Sequence, residues 1–203
     1  MKKIHVGVID YQAGNHASVV NSLKALGFRV TLARSTELLD STDLLLLPGV
    51  GAFPQAMDAL REEGLEQYIR TAVEQKKRPL IGICLGMQLL ASSSSEYGET
   101  EGLGLIPGHI QAMDKPKWHI GWNSIIANNK QSSCLPEIGG CYYFNHSFCF
   151  KGSDKSVLYR TADNNIAAVI AQGHVVGLQF HPEKSQKEGR ALLKNLILRM
   201  CNA

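Results

Sequence analysis

Residues 78–93 read RPLIGICLGMQLLASS. The stretch opens as a buried strand, Pro79-Leu80-Ile81-Gly82-Ile83, and closes in a helical pattern. Between the two sits Cys84, with Gly82 and Gly86 two residues away on either side. Gly-x-nucleophile-x-Gly is the form of a nucleophile elbow, a sharp strand-to-helix turn whose small residues keep neighbours clear of the nucleophile. A thiol there stands at the N-terminus of a helix starting near Leu85, where unpaired N–H groups and the helix dipole favour a thiolate. The N–H of Leu85 is then placed to bind an oxyanion. The bland alternative is that a cysteine in an apolar strand is small core filler.

Upstream, strand and helix patterns alternate. IHVGVI (4–9) fits a buried strand, and NHASVVNSLKALG (15–27) carries apolar residues at 19, 20, 23 and 26 before Gly27. FRVTLA (28–33) and DLLLLPG (43–49) read as strands two and three. Residues 53–77 predict a long helical stretch broken near Gly64, and PLIGIC (79–84) a fourth strand. Such alternation argues for βαβ units and a parallel sheet. From Gly102 to Phe180 the pattern turns to short β-like runs such as GCYYFNHSFCF and HVVGLQF, and KEGRALLKNLILRM (187–200) predicts a closing amphipathic helix. No internal repeat or linker divides the 203 residues, so one α/β domain spanning 1–203 is expected.

Bulk composition excludes several classes. Hydrophobic content of 44% and charged content of 19% are ordinary for a soluble globular chain. The net charge is +3 and the longest basic run is Lys76-Lys77-Arg78, which leaves no nucleic-acid footprint. The apolar runs are too short and glycine-broken to span a bilayer, and the N-terminus reads as a strand rather than a signal peptide. Five cysteines (84, 134, 141, 149 and 201) without a CxxC pair argue against a disulfide framework or a zinc site and make the cytoplasm the default compartment. No metal and no cofactor is expected.

A nucleophilic thiol needs a base, and the base an orienter. GLQFHPEKS (177–185) offers both, with His181 after a strand and Glu183 two residues on. In extended chain the two point to one side. The competing reading is a capped strand end followed by a solvated loop. LLLLPGVGAF (44–53) adds a strand ending in Pro-Gly-Val-Gly, whose glycines let peptide N–H groups turn toward a ligand. Ligands gather at the carboxyl ends of parallel strands, where Cys84, Pro48–Gly51 and His181 would all lie.

GICLGMQLL, PGVGAF and QFHPEKS together resemble the class I, triad-type glutamine amidotransferases. VIDYxxGN near the start, HIGWN (119–123) and YYFNHS (142–147) narrow the resemblance to the glutaminase subunits of imidazole glycerol phosphate synthases. It runs from Val8 to the last helix. It implies a single α/β domain with a central, mostly parallel mixed sheet flanked by helices. It implies hydrolysis of L-glutamine by Cys84, His181 and Glu183, with an oxyanion hole from the N–H groups of Val50 or Gly51 and of Leu85. Gln88, Glu96, Ser147 and Phe148 would hold glutamine, Glu96 through its amino group. The partner implied is a (βα)8-barrel cyclase in a heterodimer, which uses the ammonia to make imidazole glycerol phosphate and a carboxamide nucleotide in histidine biosynthesis. Trp122, Asn123, Tyr143 and Lys184 fall at positions the family uses near that interface; core packing is the alternative for Trp122, and a solvated charge for Lys184. Departures from the family pattern are Gln12, His16, Ser95, Trp118 and Asn145. They leave room for a paralogue serving another acceptor, such as an amidino-sugar pathway. The two glycines of PGVG would let one peptide flip at low cost, so the oxyanion loop is expected not to be preformed in the free subunit.

Overall fold

A computed structural model describes residues 3–12, 16–128 and 140–202; residues 13–15 of the first loop and Cys134 lie outside them. Strands β1 (His5–Ile9), β2 (Arg29–Ala33), β3 (Leu44–Gly49) and β4 (Leu80–Cys84) fall where the apolar runs predict them. They alternate with helices α1 (His16–Ala25), α2 (Thr36–Asp40), α3 (Phe53–Glu62) and α4 (Leu65–Glu74). The expected break at Gly64 is real: this residue takes a left-handed φ of 68° between α3 and α4, a conformation glycine adopts without penalty. The five-residue α2, capped by Ser35, has no counterpart among the expected elements.

After β4 come α5 (Leu85–Leu89), the short strands β5 (Ser93–Ser94) and β6 (Thr100–Glu101), then β7 (Gly108–Ala112), β8 (His119–Ala127), β9 (Cys141–His146) and β10 (Phe148–Gly152). Next are β11 (Val157–Thr161), β12 (Ala167–Gln172), β13 (Val175–Leu178) and the closing α6 (Gln186–Asn202). The large sheet runs β2-β1-β3-β4-β13-β12-β11-β8-β9. It is parallel from β2 through β13 and antiparallel from β12 through β9. A second sheet, β10-β7-β5-β6, packs beside it. GCYYFNHSFCF is therefore not one strand: it splits at Ser147 into β9 of the large sheet and β10 of the small one.

The continuous apolar run of β3 shows why the parallel half is buried on both faces. Leu44 and Leu46 join the core that includes Val19 and Leu23 of α1 and Leu193 and Ile197 of α6. Leu45 and Leu47 join the opposite core with Met57 and Leu60 of α3 and Ile69 of α4. Successive side chains leave a strand on opposite faces, so a strand covered on both sides carries no polar alternation. Each such leucine is fully buried, and burial of this kind contributes roughly 1.5–3 kcal/mol per side chain. The two layers clamp β3, β4 and β13, whose carboxyl ends carry the site.

Candidate active site

Cys84 is the last residue of β4 and the cap of α5, with φ 55° and ψ −111°. A non-glycine residue at such a φ is strained. The flanking glycines make the strain possible. A Cβ on Gly82 would stand 2.6 Å from the Gly86 carbonyl oxygen, and one on Gly86 would overlap the Leu47 carbonyl of β3. Nearby, a Cβ on Gly49 would meet the Tyr11 hydroxyl at 2.5 Å. That hydroxyl is buried and donates to the Pro48 carbonyl at 2.9 Å, tying the first loop to the end of β3. α5 has only five residues, so little long-helix dipole acts on the thiol, whose Sγ lies 3.9 Å from the Asn145 carbonyl.

His181 caps a 3-10 turn, Pro182–Lys184. Its Nδ1 lies 2.8 Å from Glu183 Oε1, and the two side chains are 4% and 3% exposed. The pair forms as expected, but the turn, not extended chain, folds the carboxylate back onto the ring. The backbone of His181 is clamped as well: its N–H donates to the Tyr143 carbonyl at 2.9 Å, and Ser185 Oγ donates to its carbonyl at 2.6 Å. Burial opposes charge on this ring, but Cys84 and Glu183 beside it outweigh burial and hold its pKa up at about 9. Both neighbours favour the charged form of the ring.

Cys84 and His181 share one cavity of about 360 Å³ with Val50, Gly51, Leu85, Gln88, Glu96, Ser147, Phe148 and Lys184, within the usual range of small-ligand pockets. Glu183 stands behind His181. Glu96 is 8% exposed, and its Oε2 accepts the Phe53 N–H at 2.8 Å. It thereby caps α3, whose own N-cap residue, Ala52, has no side-chain bond to give. Burial pushes the Glu96 pKa up, against the pull of that N–H. Gln88 donates to the Phe148 carbonyl at 3.1 Å and to Gln179 Oε1 at 3.2 Å. The Ser147 carbonyl accepts from Met113 N at 2.9 Å, so the trans peptide turns the Phe148 N–H away from β7.

Tyr97, Asn145 and His146 also line the cavity. YYFNHS contained the last two, yet a residue at the junction of two strands carries no spacing that marks it as a pocket wall. The expected interface residues divide. Trp122, 49% exposed, stands on the outer face of β8 with Ile120 and Ile126, and meets the Tyr143 ring at 6.1 Å. The Tyr143 ring lies 6.4 Å from that of His181, and Lys184 is exposed at the cavity rim. Alternation along β8 turns Asn123 inward, 5% exposed, onto His119. Among the described residues no cluster of three or more His, Cys, Asp or Glu could hold a metal ion, and no helix is long and apolar enough to cross a membrane.

A cysteine on a strained strand-to-helix corner, a histidine braced by a buried glutamate and a glycine-rich strand end beside them define a thiol-dependent acyl-transfer site. The chain belongs to the class-I glutamine amidotransferases, whose family model matches residues 7–200. It is 39% identical over 201 residues to the imidazole glycerol phosphate synthase subunit HisH of Halalkalibacterium halodurans, covering 94% of each chain. It is 43% identical over 193 residues to the protein of the same name from Streptococcus sanguinis, covering 92% of each. Among solved structures, a glutamine amidotransferase superposes with a TM-score of 0.74 at 23% identity, over 98% of this chain and 99% of that one. The PurLQS structure from Thermotoga maritima gives 0.74 at 22% identity, over 99% and 98%. Both likenesses concern the fold.

Proposed function

We propose that this chain is the glutaminase subunit of an imidazole glycerol phosphate synthase, releasing ammonia from L-glutamine for a (βα)8-barrel cyclase in histidine biosynthesis. The observation that carries the reading is Cys84 and His181 on one pocket, with Glu183 bonded to the ring from behind. The relatives support this acceptor over an amidino-sugar pathway, since the subunit names quoted above accompany similarity over more than nine-tenths of both chains.

His181 takes the proton of the Cys84 thiol, and Sγ attacks the side-chain amide carbon of glutamine. The oxygen that becomes negative is received by the N–H of Leu85 and by that of Val50 or Gly51. His181, now protonated, gives that proton to the amide nitrogen, the C–N bond breaks and ammonia leaves. A glutamyl thioester remains on Sγ. His181, now neutral, takes a proton from water; the hydroxide attacks the thioester carbon, and glutamate leaves with the thiolate restored. Glu183 keeps Nδ1–H directed away from the reaction, so the working proton sits on Nε2. Glu96 receives the substrate ammonium, and the turned-out Phe148 N–H, with Ser147, receives the substrate carboxylate. Gln88, both of whose N–H groups are engaged, offers its carbonyl oxygen.

Ammonia in water is largely ammonium, which is no nucleophile, so direct passage into a docked partner has a chemical purpose. The half-exposed Trp122–Tyr143 pair beside His181 suits that contact, with Lys184 at its edge. Gly51, at φ 104°, and Gly49 flank Val50 and permit a peptide rotation that partner docking would favour, which keeps the free chain slow. The test is glutamate release from glutamine by the chain alone and with the cyclase and its nucleotide ligand. Strong activation in the complex supports the reading. No glutamate under any condition, with Cys84 intact, would overturn it.

A further inference from the structure

Two buried histidines outside the triad form a chain of hydrogen bonds that ends on the pocket wall. Asn123 Nδ2 lies 3.2 Å from His119 Nε2, His119 Nδ1 lies 3.2 Å from His146 Nε2, and His146 Nδ1 lies 2.8 Å from the Phe148 carbonyl. Three steps of elimination orient every proton. A carbonyl only accepts, so His146 carries its hydrogen on Nδ1 and leaves a lone pair on Nε2. His119 must then donate from Nδ1, and its Nε2 accepts from the amide nitrogen of Asn123. Charging either ring would set two N–H groups against each other. Both rings are buried, 8% and 7% exposed. Burial lowers both pKa values, that of His146 to about 4, which keeps them neutral.

The acceptor at the end of this chain is shared. The Phe148 carbonyl also takes the Gln88 Nε2, whose other hydrogen goes to Gln179 Oε1. Asn145, His146, Ser147 and Phe148 all line the pocket, and they form the link where the chain passes from one sheet to the other. We propose that His119 and His146 are positioning residues whose one-way relay, running from Asn123 to the Phe148 carbonyl, fixes the 145–148 wall and the orientation of Gln88 for glutamine binding. This rests on the glutaminase reading of the pocket. The relay itself bonds neither Cys84 nor Glu183, and the wall meets the thiol only by the long 3.9 Å contact of Cys84 Sγ with the Asn145 carbonyl, so it acts mainly on substrate affinity.

His119 stacks on Phe144 with ring centroids 4.4 Å apart and planes at 22°. H119F retains that stacking and removes both hydrogen bonds. In the complex with the cyclase, its KM for glutamine should rise about tenfold with kcat within about twofold, the scale of one or two lost neutral hydrogen bonds. H119N, whose amide nitrogen can stand at the Nδ1 position, should recover part of the loss. Nitrogen-15 NMR of the wild-type chain should show His119 and His146 both protonated on Nδ1 and bare on Nε2. An unchanged KM in H119F, or a fall in kcat and melting temperature without rescue by H119N, would overturn the proposal, as would His146 protonated on Nε2. A wild-type complex that releases no glutamate sinks the glutaminase reading instead, and the tautomers still decide the relay.

Discussion

Replacing Glu183 by Gln tests the site at the point where its electrostatics and its chemistry meet. The His181 pKa stands at about 9 because Cys84 and Glu183 overcome burial. Gln keeps an oxygen that can accept from Nδ1–H, so the tautomer survives and only the charge is lost. A charge-assisted hydrogen bond is worth about 1.5–3 kcal/mol, against about 1 kcal/mol for a neutral one. At about 1.4 kcal/mol per pH unit, the loss should lower the His181 pKa by roughly one unit or slightly more, to about 8 or just below. The sign is fixed by the mechanism: glutaminase activity needs the imidazolium, so activity is lost as pH rises through its pKa. The variant's alkaline limb should therefore sit about one pH unit below that of the wild type. The assay is kcat/KM for glutamate release in the cyclase complex from pH 6 to 10, a profile that reports groups of the free enzyme. The same pairing stabilises the wild-type fold fully below the unfolded pKa of 6.5, and that contribution is lost as pH rises through about 9. An additional cost comes from Glu183 Oε2, which is buried without a hydrogen-bond partner among the described residues; an amide nitrogen placed there is an unmet donor, worth about 1–3 kcal/mol. An alkaline limb identical to that of the wild type would refute the assignment of Glu183 as the group that holds His181 charged.

Three further substitutions separate binding, backbone and docking. Glu96→Gln keeps an acceptor for the Phe53 N–H but removes a carboxylate whose pKa burial has raised; KM for glutamine should rise about 10- to 100-fold, as for loss of a charged hydrogen bond, while calorimetry should show a melting temperature no lower than that of the wild type. In the wild type, KM should also climb as pH falls through the raised Glu96 pKa, because the protonated acid no longer attracts an ammonium. Gly86→Ala drives a methyl into the Leu47 carbonyl; overpacking of this kind costs typically about 1–3 kcal/mol or more, and denaturant titration should register it together with loss of turnover. Trp122→Ala should leave melting unchanged yet weaken cyclase binding by about 2 kcal/mol or more, the scale of a buried aromatic anchor, measurable by titration calorimetry.

The parallel half of the fold was legible because its signals are local. Continuous apolar runs of five or six residues, each followed by a glycine, a cap or a helical pattern, leave few alternatives to βαβ units. Cys84 and His181 were legible for a related reason: each stands where such a run stops, and chemistry in a parallel sheet collects at those ends. What escaped depends on pairing across long stretches of chain. β5 and β6 have two residues each, too few to show a period. The split at Ser147 follows from β9 pairing with β8 while β10 pairs with β7, a choice made by packing rather than by intrinsic preference. Asn123 and Trp122 were both expected near the partner interface, and the structure buries the first and exposes the second. Neighbours on a strand face opposite ways, however, and which of the two is outside is set by the layer beneath β8, not by the HIGWN segment itself.

The residues that break local rules converge on the pocket. Cys84 occupies a strained φ, Glu96 carries a carboxylate where burial penalises it, and Glu183 leaves one buried oxygen unpaired. Each lowers stability in isolation, and natural folds tolerate such violations mainly where function requires them. The surrounding structure shows how they are held. β3 and β4 are buried on both faces, the glycines at 49, 82 and 86 are packed closer than any side chain allows, and Tyr11 and Ser185 fix backbone on either side. The Val50–Gly51 peptide is the exception: Val50 is 41% exposed, and among the described residues a Cβ on Gly51 would meet nothing within 4 Å. On the proposed reading, this loosely packed segment is the one whose N–H turns toward the substrate. On the same reading, that freedom is where a docked partner would gain its leverage: it would complete the oxyanion hole by moving two residues, without disturbing the tightly packed corner that holds the thiol.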